Sequence, residues 1–363
     1  PAGFPTAAAD YQQNIRVTDA NGLTADISVS IEIASSIMAL VTNTNLYTGT
    51  AATLTLGKPT GFAGPSERCM AISPTGQFLA AGRSGSPYLE VRKLSDDGSE
   101  YQAYSLADSP AENATGVDFS PDGRFLAVTV GNTELWVYEI AAGVVTLVDT
   151  ASSHAPQLPK WSPDGTRIAV NVADTGAPYL GLSVFPFDRD AKIIGAPIYA
   201  AAQYEAAAFG FSWHPSGNFF AEGSSSRVLV WDARTNPVQL LTMGPTGTPS
   251  STRGVNFTAD GSILITNTNT PSSGNYISVY GFNGSTLSDP IYPAVQPAAT
   301  PSDADLSYDG ASYVVAVNPA GASTSRLLAY AVSGGVLTAV PVQPVTPDLN
   351  INNVAWTPSG GEE

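Results

Sequence analysis

The chain has 363 residues, a formal charge of −16 and a sequence pI near 4.3. Its only lysines are Lys58, Lys93, Lys160 and Lys192, and an acidic surface of this kind argues against nucleic-acid backbones and anionic membranes as partners. Charged residues make up 13% of the chain, against roughly 25% in ordinary soluble domains; Ser, Thr, Asn, Gly and Ala fill the exposed positions instead, a bias that suits exported or virion-surface proteins. No apolar run approaches the roughly 18 residues of a membrane span, so no membrane insertion is expected. The one cysteine, Cys69, lies in an apolar strand and reads as a small buried hydrophobe. The chain begins at Pro1 with neither initiator Met nor signal-peptide pattern, which leads us to expect a processed chain or the visible part of a longer one.

Residues 1–35 differ from the rest. Tyr11 to Thr18 and Leu23 to Ile33 flank Asp19-Ala20-Asn21-Gly22, a hairpin signal. In the second run Ile27, Val29, Ile31 and Ile33 alternate with Ser28, Ser30 and Glu32, predicting one buried and one wet face. The run from Ile15 through Asn21-Gly22 to Ile31 resembles the closing hairpin of an immunoglobulin-like or cadherin-like domain. Such domains need about seven strands. The remainder then lies upstream or on another chain, or the hairpin folds back on its neighbour.

Residues 36–363 carry a repeat. Ser120-Pro121-Asp122-Gly123 is its clearest turn: proline presets φ, Asp suits the next corner, and glycine takes the left-handed φ that closes the bend. Equivalent turns end at Gly76, Gly123, Gly165, Gly217, Gly261, Gly310 and Gly360, separated by 47, 42, 52, 44, 49 and 50 residues. An apolar strand precedes each turn, a second follows it, and in six repeats a third comes after a polar gap. Phe125, Ala127 and Thr129 lie on one face of the second strand and Leu126, Val128 and Val130 on the other, as in a sheet covered on both sides. Spacing and grammar predict an all-β fold, a seven-bladed β-propeller preceded by the immunoglobulin-like hairpin. The last repeat ends after one strand, so short strands within 36–57 are expected to complete that blade by pairing with 353–358, which removes two open edges. A chain running on past Glu363 would supply the strands itself.

These repeats resemble WD-repeat-like propellers in the looser Ser-Pro-Asp-Gly form; only Trp231-Asp232 gives the Trp-Asp pair. The run Phe119 to Val128 and the run Ile277 to Leu287 are also similar to lactonase-like propellers. Hairpin and ring together look like phage virion or bacterial surface proteins. The resemblance implies the fold and leaves the activity open.

Candidate chemistry is sparse. His214 takes the Ser/Thr place of a turn, and His154 lies in a linker; each reads as structural before catalytic. Asp188 and Asp190 read as a hairpin tip, and Asp19 with Asn21 as a turn; calcium asks for about six or more oxygens, so no metal and no cofactor is expected. Eight residues before each turn glycine the chain enters the inner strand at one mouth of the central channel. There stand Arg68, Thr115, Gln157, Phe209, Arg253, Ser302 and Asn352, of which Arg68, Gln157, Phe209, Arg253 and Asn352 suit forked or stacked contacts with a glycan or acidic group. The links Asp174 to Tyr179, Asn267 to Tyr276 and Asn318 to Ser325 are expected to open on the same side. The expected role is a non-enzymatic structural or attachment module of an extracellular or virion assembly, with neighbouring protein subunits and a glycan as partners. A lactonase-like hydrolase and a TolB-like periplasmic scaffold are the alternatives.

Overall fold

The computed structural model describes residues 11–18, 24–31, 37–42, 55–57, 67–94, 101–141, 144–172, 181–200, 210–224, 227–244, 250–270, 274–307, 310–317, 326–340 and 351–356. The repeat is built on its turns. Six turn glycines, from Gly76 to Gly310, have φ between +68° and +72°, a region that side chains with a Cβ rarely occupy. Each donates its N–H to the carbonyl three residues back, as Gly123 does to Ser120 at 2.8 Å. The hydroxyl of the first turn residue completes the bend: Ser120 Oγ donates to Asp122 Oδ1 at 2.6 Å and accepts from Phe125 N at 2.8 Å. Thr258 repeats the pattern, donating to Asp260 and accepting from Ile263 N. Bonds from Thr258 and Ser262 hold the Asp260 carboxyl below its usual range.

Strands β1 (Tyr11–Thr18) and β2 (Thr24–Ile31) pair as a separate antiparallel hairpin, Ile15 opposite Ile27, with five residues between them. Next come β3 (Ile37–Thr42) and β4 (Thr55–Gly57). The first complete blade is β5 (Glu67–Ile72), β6 (Phe78–Arg83), β7 (Leu89–Leu94) and β8 (Tyr101–Ala103). The second is β9 (Ala114–Phe119), β10 (Phe125–Val130), β11 (Glu134–Ala141) and β12 (Val144–Ser152). The third is β13 (Pro156–Trp161), β14 (Arg167–Val172), β15 (Leu182–Asp188), β16 (Ile193–Ile194) and β17 (Ile198–Tyr199). The fourth is β18 (Phe211–Trp213), β19 (Phe219–Gly223), β20 (Val228–Asp232) and β21 (Gln239–Met243). The fifth holds β22 (Ser250–Phe257), β23 (Ile263–Thr270) and β24 (Ile277–Gly281). The sixth is β25 (Pro301–Leu306), β26 (Ser312–Val317), β27 (Arg326–Ser333) and β28 (Val336–Val340). Strand β29 (Ile351–Trp356) pairs in parallel with β3, which pairs with β4, so the seventh sheet joins the two ends of the ring.

The inner strands touch in one circuit: β5 against β9, then β13, β18, β22, β25 and β29, and back to β5. That closed path makes the chain a seven-bladed all-β propeller, and the described residues contain no helix. The core lies between blades. Leu126 and Val128 of β10 pack with Val91 and Ala80 of the first blade, whereas Phe125 and Ala127 pack with Trp161, Ile168 and Phe185 of the third. A strand clamped between two sheets is apolar on both faces, and all six residues of β10 are buried, with Thr129 their one polar member. The fifth blade has no fourth strand among the described residues. The Gln296 amide takes part of that place, its Oε1 accepting from Ile277 N at 2.9 Å and its Nε2 donating to Ile277 O at 3.0 Å. Ile291 covers the next part of the same edge, exchanging backbone hydrogen bonds with Val279 at 2.9 and 2.7 Å.

Candidate functional site

The inner strand of a blade is a sheet edge, with backbone groups turned toward the channel. Side chains from the preceding blade satisfy some of them. Trp161 N donates to Asp118 Oδ2 at 2.8 Å, Phe257 N to Ser212 Oγ at 3.2 Å, and Val354 N to Asp303 Oδ2 at 2.9 Å. Two indoles fasten neighbouring strands: Trp161 Nε1 donates to Asp118 O at 3.1 Å and Trp213 Nε1 to Lys160 O at 2.9 Å. Lys160 Nζ pairs with Asp118 Oδ1 at 3.0 Å, and that carboxylate raises the lysine's pKa, helped by Asp305 and Asp303. Burial pushes Asp118 upward against the pull of Lys160. Burial, seconded by Asp305, lifts Asp303 to about 7, although the Val354 N–H and Lys160 oppose it. These channel carboxylates stand five and seven residues before the turn glycines, positions that a reading confined to the mouth residues passes over.

The positions predicted for the mouth share one backbone feature wherever they fall among the described residues. The pairing of inner and second strands shifts register between Glu67 and Cys69, between Pro156 and Pro159, between Thr252 and Gly254, and between Pro301 and Asp303. Arg68, Gln157, Arg253 and Ser302 fall within those shifts. Thr115 falls in the matching shift of the second blade, and Asn352 in the shift between Ile351 and Asn353. A bulge of this kind bends the strand and redirects the residue it contains. The side chains of Arg68, Arg253 and Asn352 lie outside the described residues, as does the whole of Phe209. Gln157 is half-buried, and its carbonyl accepts Thr129 Oγ1 at 2.7 Å. Thr115 is committed to the frame, donating toward Pro156 O at 3.1 Å and Thr129 Oγ1 at 3.0 Å.

Beside Thr115 a cleft opens between the first and second blades. It encloses about 420 Å³ and is lined by Tyr88, Ala111, Glu112, Asn113, Thr115, Gly131 and Asn132. Three connections supply it: the one entering β7, the one entering β9, and the one joining β10 to β11. Gly131 has φ +56°, and a Cβ there would collide with the Glu112 carboxylate, so glycine lets that side chain lie across the turn. The sequence carries a faint signal of this cleft, since Glu112-Asn113 stands just ahead of the mouth position in the second repeat.

Other expected chemistry resolves into structure. His214 Nδ1 meets Ser216 Oγ at 2.8 Å, and its ring packs edge-on against Phe219, Phe257 and Phe282, so it serves as a turn residue at a blade junction. Burial holds its pKa below the usual imidazole value. Asp188 Oδ1 accepts from the N–H groups of Asp190 and Ala191, the cap of a hairpin tip. The described residues contain no group of three or more His, Cys, Asp or Glu able to hold a metal ion. Strand β23 runs on to Thr270, so the link expected from Asn267 starts later; the residues of the other two long links lie outside the described set.

No family model matches the sequence, and no curated protein matches it significantly. Solved structures match in fold. The chain is similar to the Cps50 (Swd1) β-propeller domain of Myceliophthora thermophila at 14% identity and TM-score 0.60, covering 83% of this chain and 93% of that one. It is similar to a 6-phosphogluconolactonase-like protein of Bacteroides uniformis at 16% identity and TM-score 0.64, covering 83% and 91%. A protein of unknown function from Desulfotomaculum acetoxidans matches at 15% identity and TM-score 0.57, covering 79% and 87%. At these identities the likeness establishes the fold alone: the chain is a β-propeller.

Proposed function

We propose that this chain is a non-enzymatic interaction module, a rigid ring whose mouth face binds a glycan, a host surface or a neighbouring subunit within an extracellular or virion assembly. One contrast carries the reading. Several polar groups inside the ring are spent on its construction: Asp118, Asp303 and Ser212 hold adjacent strands, and His214 holds a turn. Polar groups of the cleft at the mouth are left for something else. The low charge, the abundance of small polar residues and the resemblance of the hairpin to immunoglobulin-like closing strands support a place in a surface or particle assembly. The test is to isolate the natural full-length chain and determine its assembly state by gel filtration with light scattering and by electron microscopy. Recovery in a particle or surface array, with binding weakened by Arg68→Ala plus Arg253→Ala in a folded ring, supports the reading. A free monomer that hydrolyses lactones overturns it.

A hydrolytic reading draws on one observation, the channel carboxylate Asp303 with a pKa lifted to about 7, a value suited to a general base. Its Oδ2 already accepts the Val354 N–H, which favours the structural role.

A further inference from the structure

The cleft between the first two blades is set apart by what its side chains do not do. Among the described residues, the Tyr88 hydroxyl and ring, the Glu112 carboxylate and the side-chain amides of Asn113 and Asn132 have no hydrogen bond, ion pair or ring contact with the rest of the chain. Several comparable surface groups elsewhere are committed locally. The Asn283 amide and carbonyl bond Thr286 and Ser285, Glu139 is held by Arg124 and Lys192, and Asp232 by Arg234. Four polar side chains without internal partners thus surround one cavity of about 420 Å³, within the size range of small-ligand sites.

The set defines a chemical class. Glu112 accepts hydrogen bonds; Asn113 and Asn132 both accept and donate; Tyr88 offers an apolar ring with a polar tip. Together they match a ligand with adjacent hydroxyls on one side and C–H groups on the other. No cation lines the cavity, and the chain carries a charge of −16, so nothing there offsets the charge of a phosphate or carboxylate ligand beside Glu112. We propose that this cleft, formed by Tyr88, Glu112, Asn113 and Asn132, is a binding site for a neutral pyranose sugar. The inference rests on the interaction reading above and gives it a ligand class and a location. The backbone supports the placement: Gly131 N donates to Asn113 O at 2.8 Å, and Ala155 N to Asn132 O at 2.8 Å, so both asparagines project from fixed main chain.

Saturation-transfer NMR on the full chain tests the site with millimolar glucose, galactose, mannose and N-acetylglucosamine, using N-acetylneuraminic acid as the anionic control. At least one neutral sugar should receive saturation and the anionic sugar none. Tyr88→Ala and the isosteric Glu112→Gln should each reduce the signal at least fivefold while leaving the melting temperature unchanged. Transfer to none of the neutral sugars, equal transfer to the anionic sugar, or signals unaffected by both substitutions would overturn the proposal. Capture of the chain in its natural assembly despite Tyr88→Ala and Glu112→Gln, with no sugar bound, would remove this site and leave the interaction reading in place.

Discussion

Glu222 gives the sharpest test of the packing between blades. It lies in β19, 6% exposed, with Oε2 accepting the Trp231 indole N–H at 2.9 Å, and burial lifts its carboxyl from 4.5 to about 8. Between those values the folded ring keeps the proton while the unfolded chain releases it. Stability is therefore complete below pH 4.5 and is lost as pH rises toward 8. Each unit of difference is worth about 1.4 kcal/mol, so at pH 7 the titration removes at most about 3 kcal/mol. Glu222→Gln keeps a carbonyl oxygen for Trp231 and abolishes the titration. Urea unfolding of parent and variant, followed by tryptophan fluorescence from pH 4.5 to 7, should show the variant gaining about 3 kcal/mol on the parent across that range. Taking the difference cancels every other titrating group, His214 and Asp303 included. A constant difference at all pH values would refute the reasoning and show that the carboxylate reaches water or a cation in the folded ring.

Two further substitutions probe the seams of the ring. A Cβ at Gly116 would fall on the Gln157 carbonyl oxygen and lie 2.5 Å from Pro159 Cδ, so Gly116→Ala must part β9 from β13; we expect a loss of about 3 kcal/mol in thermal melts. Gly85→Ala, where nothing lies within 4 Å, is the matched control and should change little. Lys160→Met strands the Asp118 carboxylate, and because the lysine side chain is 41% exposed we expect a loss of only about 1–2 kcal/mol, largely recovered on adding Asp118→Asn. A double-mutant cycle with no coupling would show that the pair does not hold the strands.

Much of the fold was legible in the chain because its determinants are local. A Ser-Pro-Asp-Gly turn needs its hydroxyl, its carboxylate and its positive-φ glycine within four consecutive positions, and it recurs at blade spacing. The alternation of Phe125 to Val130, apolar on both faces, announces a strand between two sheets before either sheet is known. Much of the site was not legible. Counting back from the turns reaches Arg68, Gln157 and Asn352, whereas the cleft joins Tyr88, Glu112 and Asn132 from three connections that no spacing rule links. His154 and His214 drew attention by residue type, whereas the channel residues Asp118, Lys160 and Asp303 look in sequence like polar members of inner strands.

The sequence by itself determined the repeat, the turn chemistry and the number of blades, since each depends on residues close together in the chain. Tertiary structure alone decided which polar groups are consumed by the ring and which remain free. That division depends on the neighbouring blade: Asp118 meets Trp161 and Lys160 across a seam, while Glu112 faces a cavity with no internal partner among the described residues. A side chain's hydrogen-bonding capacity is written in its identity, but its commitment is fixed only when the ring closes and strands distant in sequence come within 3 Å of one another.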